Sequence, residues 1–154
     1  DQFVPVKKIV IGFDGSTRSR KSLRRSIKEA QVWGAELTAV DAVPLASSAG
    51  ILSWLPATVD RDSILRDVRD KLKQTCKEET ADSGVKVHSH ALDGNPAALL
   101  TEFSTAVDLV VVGTRGGGGF AGALMGSTSQ SILAHAACPV LVVPTGDHEE
   151  EAEG

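Results

Sequence analysis

The sequence predicts a single-domain α/β fold, in which a parallel β-sheet carries helices on both faces. The length of 154 residues is typical of one domain. Short runs rich in β-branched residues alternate along the chain with amphipathic stretches of helical spacing, and this alternation is typical of parallel sheets. Turn residues rich in glycine follow two of the strands, at the edge where such sheets bind ligands.

The composition excludes several classes of protein. Hydrophobic residues make up 42% and charged residues 23%, which is ordinary for a soluble globular protein. The net charge of -4 argues against general nucleic-acid binding. No apolar run is long enough to span a bilayer, and no signal-peptide pattern is visible. Cys76 and Cys138 form neither a CxxC pair nor a metal-binding spacing, so we expect reduced, structural thiols and a cytoplasmic location.

The first three elements lie in residues 7–43. The run KKIVIGF at residues 7–13 predicts a fully buried parallel strand. A turn follows it and offers Ser16 as a helix N-cap. Apolar side chains recur at helical spacing over Thr17–Trp33, and the glycine after them is a helix stop. The run ELTAVDAV at Glu36–Val43 predicts the second strand.

The middle of the chain holds a loop, two helices and a strand. Residues 44–58 are rich in small residues and proline, which predicts a loop. Residues 59–81 place apolar side chains on one face and charges elsewhere, which predicts a long amphipathic helix. Residues 85–92 alternate between apolar and polar, so we expect a third strand near a sheet edge. A turn then places Pro96 at the first position of a short helix that ends near Thr105.

Residues 108–144 hold the candidate site. A strand at residues 109–112 meets a glycine-rich loop at residues 113–126, a helix begins at Ser127, and a second apolar strand spans residues 140–143. A strand, a small-residue loop and a helix N-terminus in this order hold an anion, most often a phosphate. The tetrapeptide STSQ at the helix start matches a capping box, so we expect Ser127 to cap this helix.

The glycine loop fits one of three phosphate-binding patterns well. Residues 117–122 match the dinucleotide pattern GxGxxG, but a glycine run matches it by accident, and no acidic residue follows about 20 positions later to hold a ribose. A Walker A loop is excluded because no Gly-Lys-Ser/Thr follows. The better fit is G-x2-G-x9-G-[ST], which covers Gly113, Gly116, Gly126 and Ser127. Its glycines let the backbone approach a ligand, and its helix start presents amides and hydroxyls to phosphate oxygens.

This spacing, together with KKIVIGFDGS, DGNPAALL and CPVLVVP, resembles the universal stress protein family in its ATP-binding branch. The resemblance covers residues 1–146 as one domain, and the acidic residues 147–154 are expected to form a disordered tail. It implies a Rossmann-like three-layer sandwich with a five-stranded parallel sheet in the order 3-2-1-4-5, similar to the adenine nucleotide α-hydrolases. It also implies ATP above strands one and four, with Mg²⁺ accompanying the nucleotide and bridging its phosphates.

The resemblance implies a set of ligand-binding residues as well. Asp14 would contact the adenosine, and Ala39 would face the adenine, with Val40 as the alternative. The others would line the turn after strand one or surround the ribose and phosphates; they are Gly12, Phe13, Gly15, Ser16, Gly113, Thr114, Arg115, Gly116, Gly126, Ser127, Thr128 and Ser129. The extra glycines at residues 117–119 depart from the family pattern, which puts the affinity in question rather than binding itself.

No catalytic constellation is visible in the sequence. No Ser–His–Asp spacing is present, and no general base is placed against the phosphate loop. The leading function is therefore an ATP-dependent stress-response or signalling module, with a slow ATPase or autophosphorylating enzyme on the same fold as the alternative. His88 and His90 share one face of strand three, where a metal ion could bind, but no third ligand is placed and a solvated face is favoured.

The last strand predicts the oligomeric state. Its four residues are strongly apolar and lie between two prolines; they are Val140, Leu141, Val142 and Val143. An exposed edge of this kind promotes aggregation unless it is paired. We therefore expect an isologous homodimer through this strand, which the family resemblance also implies.

Overall fold

A computed structural model describes residues 5–45, 60–114 and 126–144. Within them, strands and helices alternate in the order β1 (Lys8–Gly12), α1 (Thr17–Trp33), β2 (Glu36–Val43), α2 (Arg61–Thr80), β3 (Val87–Asp93), α3 (Pro96–Phe103), β4 (Leu109–Gly113), α4 (Ser127–His135) and β5 (Val140–Val143). Most of the predicted loop after the second strand, most of the glycine-rich loop and the acidic tail lie outside the described residues.

The five strands form one parallel sheet in the order β3-β2-β1-β4-β5, as predicted. The central strand β1 pairs with β2 on one side and with β4 on the other, so Ile11 lies between Ala39 and Val111. The alternating strand β3 occupies one edge of the sheet and the apolar strand β5 the other, which confirms both edge predictions.

Two hydrophobic cores cover the two faces of the sheet and complete a three-layer sandwich. Successive side chains of a strand point to opposite faces, so Ile9 and Ile11 pack in one core and Val10 packs in the other. Helices α1 and α2 cover the first core, with Leu23 and Leu72 among its fully buried side chains. Helices α3 and α4 cover the second core, whose members are Val10, Val40, Leu100, Val110, Val112 and Ile132.

The caps confirm both predicted ends of α1 and the predicted start of α3, whereas α3 ends at Phe103, two residues before the predicted end near Thr105. The Ser16 hydroxyl accepts a hydrogen bond from the Ser19 amide at 3.1 Å. Gly34 ends α1 in the left-handed conformation, with φ 65°. Pro96 is the first residue of α3, and the Asn95 side chain caps that helix.

Helix α2 begins two residues later than predicted, at Arg61, because an aspartate before it supplies the cap. Asp60 Oδ1 accepts a hydrogen bond from the Ser63 amide at 2.7 Å. None of the described helices is both long and apolar enough to cross a membrane.

An ion-pair network joins α1 to α2. The Glu79 carboxylate lies 2.9 Å from the Arg20 guanidinium and 2.8 Å from that of Arg24, while Arg20 also contacts Glu78 at 3.0 Å. The Glu79 side chain is only 12% exposed. The hydrogen bond from Arg24 lowers its pKa; burial acts in the opposite direction, and the hydrogen bond from Arg20 supports the lowering. The network therefore holds an ionised, largely buried carboxylate between two helices.

We expect Glu79→Gln to lower the free energy of unfolding by about 1–2 kcal/mol near neutral pH, because both arginines lose a charged partner. Since the folded state lowers the pKa of Glu79, its contribution is present above the ordinary carboxylate pKa and is lost as the pH falls through the folded value. Urea denaturation of the wild-type protein and of Glu79→Gln should show a difference in the free energy of unfolding that becomes smaller toward acid pH. Glu29→Gln, which removes the exposed intrahelical pair with Arg25, is the control and should change stability by less than about 0.5 kcal/mol. A difference between the wild type and Glu79→Gln that stays constant down to acid pH would contradict the role of the ionised Glu79.

Candidate functional site

A cavity of about 400 Å³ opens above the carboxyl ends of β1 and β4. Chain order reverses at this pair of strands, and open α/β sheets bind ligands in the crevice at such a point. The cavity is lined by residues from both faces of the sheet, namely Gly12, Phe13, Asp14, Ser16, Arg18, Ser19, Ser22, Val40, Ala42, Pro96, Leu100, Val112, Gly113, Thr114, Gly126, Ser127, Thr128 and Ser129.

The lining divides into an apolar part and a hydroxyl-bearing part. The apolar part comes from β2, β4 and α3 and consists of Val40, Ala42, Pro96, Leu100 and Val112. The hydroxyl-bearing part comes from the N-cap and first two turns of α1 and from the first turn of α4, and consists of Ser16, Ser19, Ser22, Ser127, Thr128 and Ser129. Such a cavity suits a ligand with one flat apolar portion and one polar or anionic portion.

Most of the predicted site residues lie together at this cavity. Eleven of those described line it: Gly12, Phe13, Asp14, Ser16, Val40, Gly113, Thr114, Gly126, Ser127, Thr128 and Ser129. Gly15 and Ala39 are described but are not among the lining residues. Arg115 and Gly116 lie outside the described residues.

The alternation of β2 distinguishes Ala39 from Val40. Ala39 is fully buried in the core beneath α1 and α2, whereas Val40 packs in the opposite core and lines the cavity. Of the two alternatives left open by the sequence, the side chain at the cavity is therefore that of Val40. Gly15 serves the turn instead, because its φ of 85° is one that side chains rarely adopt.

Asp14 is held as an oriented anion at the end of β1. Its Oδ1 accepts a hydrogen bond from the Ser16 amide at 2.9 Å. Burial raises the pKa of Asp14, but hydrogen bonds from the hydroxyl and amide of Ser16 and from the Ser19 hydroxyl outweigh it, so the net pKa lies below the ordinary value. A carboxylate fixed in this way can accept hydrogen bonds from a hydroxyl or amino group of a ligand.

The predicted capping box at the start of α4 is wrong. Gly126 is the N-cap residue, Ser127 is already helical, and no side chain makes a cap hydrogen bond there. The Ser129 hydroxyl instead donates to the carbonyl of Gly113 at 2.7 Å. The tetrapeptide matches the S-x-x-Q pattern, but Ser127 lies inside the helix, and the Ser129 side chain bonds to the end of β4.

The start of α4 consequently differs from those of the other helices at the cavity. Ser16 caps α1 and Asn95 caps α3 through side-chain oxygens. At α4, no side chain of the described residues takes that place, so the first-turn amides keep their donor capacity at a surface that lines the cavity. The positive end of the helix dipole lies at the same point.

A glycine in β1 lets α3 approach the site. A Cβ on Gly12 would lie 2.7 Å from Leu100 Cδ1, inside the distance at which real side chains meet. Leu100 therefore packs against bare backbone and forms part of the apolar wall. A larger residue at position 12 would require the Leu100 side chain, which lines the cavity, to move.

Seven lining residues were not predicted from the sequence. They are Arg18, Ser19, Ser22, Ala42, Pro96, Leu100 and Val112. Two of them had a visible signal, because Ser19 and Ser22 lie three residues apart on the apolar face of α1, where both are buried. Polar side chains on the buried face of an amphipathic helix indicate contacts that periodicity alone does not explain.

The described histidines and the two cysteines are not among the residues that line this cavity. His88 and His90 are exposed on β3, and His88 Nε2 is 3.8 Å from Glu36 Oε1. No group of three or more histidine, cysteine, aspartate or glutamate side chains in the described parts of the chain could hold a metal ion. Cys76 is buried and Cys138 half-buried, and both are free thiols.

Residues 5–144 match the family model described as the universal stress protein family. The chain belongs to the universal stress protein family. A universal stress protein of Methanocaldococcus jannaschii is 33% identical over 139 residues, which cover 89% of this chain and 81% of that one. A universal stress protein of Bacillus subtilis is 30% identical over 145 residues, covering 88% and 97%. A Mycobacterium tuberculosis member is 29% identical over 150 residues, and the chain spans 48% of its length.

Solved universal stress protein structures share the fold. That of Lactobacillus plantarum UspA has a TM-score of 0.73 at 21% identity, covering 92% of this chain and 99% of that one. A universal stress protein in complex with cAMP has a TM-score of 0.66 at 23% identity, again covering 92% and 99%. One from Archaeoglobus fulgidus in complex with dAMP has a TM-score of 0.63 at 17% identity, with the same coverage.

We expect Ser129→Ala to destabilise the universal stress protein fold at the base of α4. The substitution leaves the Gly113 carbonyl without its hydroxyl donor in a largely buried position, which costs about 1–3 kcal/mol. Urea denaturation measures the loss. Ser131→Ala, on the same helix and without a side-chain hydrogen bond to β4, is the control, and an equal loss in both variants would contradict the role of the Ser129 bond.

Proposed function

We propose that this chain binds ATP in the cavity above β1 and β4 and acts as a nucleotide-dependent stress-response module. One observation carries the proposal: the cavity joins an apolar slot to a helix N-terminus whose amides lack a side-chain cap. A nucleotide has the same two parts, a flat base and an anionic phosphate chain, joined by a sugar.

The base and sugar would occupy the apolar half. Val40, Leu100 and Val112 provide surfaces for the faces of an adenine ring. The oriented carboxylate of Asp14 is placed to accept hydrogen bonds from the ribose hydroxyls or the adenine amino group. A charged acceptor raises the strength of such bonds and favours a ligand that donates there.

The phosphates would occupy the start of α4. First-turn amides, helped by the helix dipole, donate to anionic oxygens at such a position. The hydroxyls of Ser127 and Thr128 line the same surface and can add donors. Mg²⁺ would accompany ATP and offset the charge of its phosphates, and we assign it no ligand among the described residues.

The family supports adenine nucleotides as the first ligands to test. Among solved members of this fold, one is in complex with cAMP and another with dAMP. Both ligands contain the adenine base and one phosphate, the two groups that the apolar slot and the α4 N-terminus would hold here. The triphosphate is the part of the proposal that goes beyond them.

Nucleotide occupancy tests the proposal. Native mass spectrometry of the purified protein should show a co-purified adenine nucleotide, and ATP should raise the Tm. Saturation at about 100 times the Kd would stabilise the protein by about 2.7 kcal/mol. A protein that carries no nucleotide and whose Tm does not move with millimolar ATP, ADP, AMP or cAMP would overturn the proposal.

A matched pair of variants isolates the amide donor within the same experiment. Ser127→Pro removes the first amide of α4 as well as the hydroxyl, and proline is well tolerated at the first helical position. Ser127→Ala removes the hydroxyl alone. We expect Ser127→Pro to bind ATP roughly tenfold more weakly than Ser127→Ala, with similar Tm values for the two unliganded proteins, since one charged hydrogen bond is lost. Equal affinities would contradict phosphate binding at this helix start.

We also propose that the protein forms a homodimer through β5. The strand is an open edge of the sheet, and Val140, Leu141 and Val142 are only half-buried there. The carbonyls of Pro139 and Val143 accept hydrogen bonds from β4. Successive residues of a strand direct their backbone N–H and C=O groups to opposite sides, so those of Val142 face away from β4. A second copy could pair with that edge and cover its apolar side chains.

Val142→Pro should give monomers in size-exclusion chromatography with light scattering. The substitution removes an amide that faces the open edge, so it blocks pairing with a second copy and keeps the bonds to β4. Val142→Thr keeps the amide and the β-branched shape and should remain dimeric. A Val142→Pro protein that stays dimeric would exclude β5 as the interface.

A further inference from the structure

A second carboxyl group lies beside Asp14, at the end of the neighbouring strand. The β1–β2 register places Gly12 opposite Val40, and the Phe13 amide donates to the Val40 carbonyl at 2.8 Å beyond it. Asp14 and Asp41 thus come from adjacent strand ends that are hydrogen-bonded to each other. Val40 and Ala42, the two neighbours of Asp41 in β2, line the cavity together with Asp14, whereas Asp41 itself is not among the lining residues.

The two carboxyl groups have opposite environments. Asp14 accepts hydrogen bonds from Ser16 and Ser19, which favour its anion. Asp41 is half-buried, and neither a hydrogen bond nor a positive charge of the described residues offsets that burial. Burial, followed by repulsion from Asp14, raises the pKa of Asp41 to about 6. Asp14 is therefore ionised throughout the neutral range, whereas Asp41 exchanges its proton within it.

The other charged groups near the ends of these strands do not replace Asp14 as the charge that acts on Asp41. Arg61 at the start of α2 and Asp93 at the end of β3 lie 3.3 Å apart and neutralise each other. Arg18 lies in the first turn of α1 at the cavity. The charge that acts on Asp41 is that of Asp14.

We propose that Asp41 makes nucleotide binding at this cavity depend on pH, with the protonated carboxyl favouring the anionic nucleotide and the carboxylate opposing it. The proposal rests on the proposed function, since it concerns the same cavity. It assigns to Asp41 an indirect role: its charge alters the field at Asp14 and at the bound phosphates without direct contact with the ligand.

Thermodynamic linkage determines the direction in which nucleotide affinity changes with pH. A bound polyanion adds negative charge near Asp41 and raises its pKa further, so binding takes up a proton when the pH is near or just above the value of the free protein. Affinity therefore falls as the pH rises from about 6 to about 8. The stability of the free protein has the same sign, because the folded state keeps the Asp41 proton over a range in which the unfolded chain has lost it.

The test compares the wild-type protein with Asp41→Asn, which keeps the shape and fixes the charge at zero. The Kd for ATP is measured by calorimetry at several pH values, and the wild-type value is divided by that of the variant, so that titration of ATP itself cancels. We expect a ratio near one at about pH 5.5 that rises to roughly threefold to tenfold at about pH 8. Asp70→Asn makes the same charge change at a side chain that is 69% exposed on α2, and its ratio should be flat.

Each outcome has one meaning. A ratio for Asp41→Asn that is flat across this range overturns the pH dependence while leaving nucleotide binding intact. Failure of all three proteins to bind any adenine nucleotide at every pH overturns the proposed function instead. NMR titration of the Asp41 side-chain carbon in the wild-type protein gives a check that needs no variant: its pKa should lie near 6 without ligand and rise when ATP is added. An ordinary pKa near 4, unchanged by ATP, would also overturn the proposal.

Discussion

Parallel pairing of the central strand β1 with both β2 and β4 is the constraint on which the rest of the structure depends. Parallel neighbours require each connection to return across the sheet, so every strand ends at the same edge. That requirement brings together Asp14, Asp41 and Gly113, which are far apart in the sequence. Because β1 is buried on both faces, neither helix layer can be removed without exposing it. The site is thus a by-product of how the sheet is connected.

The three helices that start at the cavity use the polar side chains near their N-termini in different ways. Serine and asparagine side chains complete the starts of α1 and α3, which become closed structural ends. At α4 the serine that could reach the backbone is used to attach the helix to β4. The fold therefore fixes the position of this helix and leaves its first-turn amides able to donate hydrogen bonds to a ligand. Stability and binding capacity are supplied by different atoms of the same turn.

The sequence was sufficient for the order and type of the elements. The helices have a clear periodicity, the buried strands are short apolar runs, and residues such as Gly34 and Pro96 mark ends between them. It was not sufficient wherever the answer depended on a partner from another element. The choice between Ala39 and Val40 requires the face of β2, which the strand register fixes. The capping box was wrong because its pattern cannot reveal that Ser129 meets the Gly113 carbonyl 16 residues earlier. The raised pKa of Asp41 depends on burial and on the carboxylate of Asp14, which follows a neighbouring strand. Neither cause can be predicted from the residues around Asp41 in the sequence.

The bond between Ser129 and Gly113 has a consequence for how this fold can vary. The chain leaves β4 at Thr114 and returns at Gly126, and the bond between Ser129 and Gly113 joins the two sides of this gap. The framework has therefore already brought the ends of the intervening segment together. Doubling the length of such a segment would cost only about 0.6 kcal/mol in closure entropy. A longer segment there is consequently inexpensive for folding, so its length can change while the framework of β4 and α4 is kept.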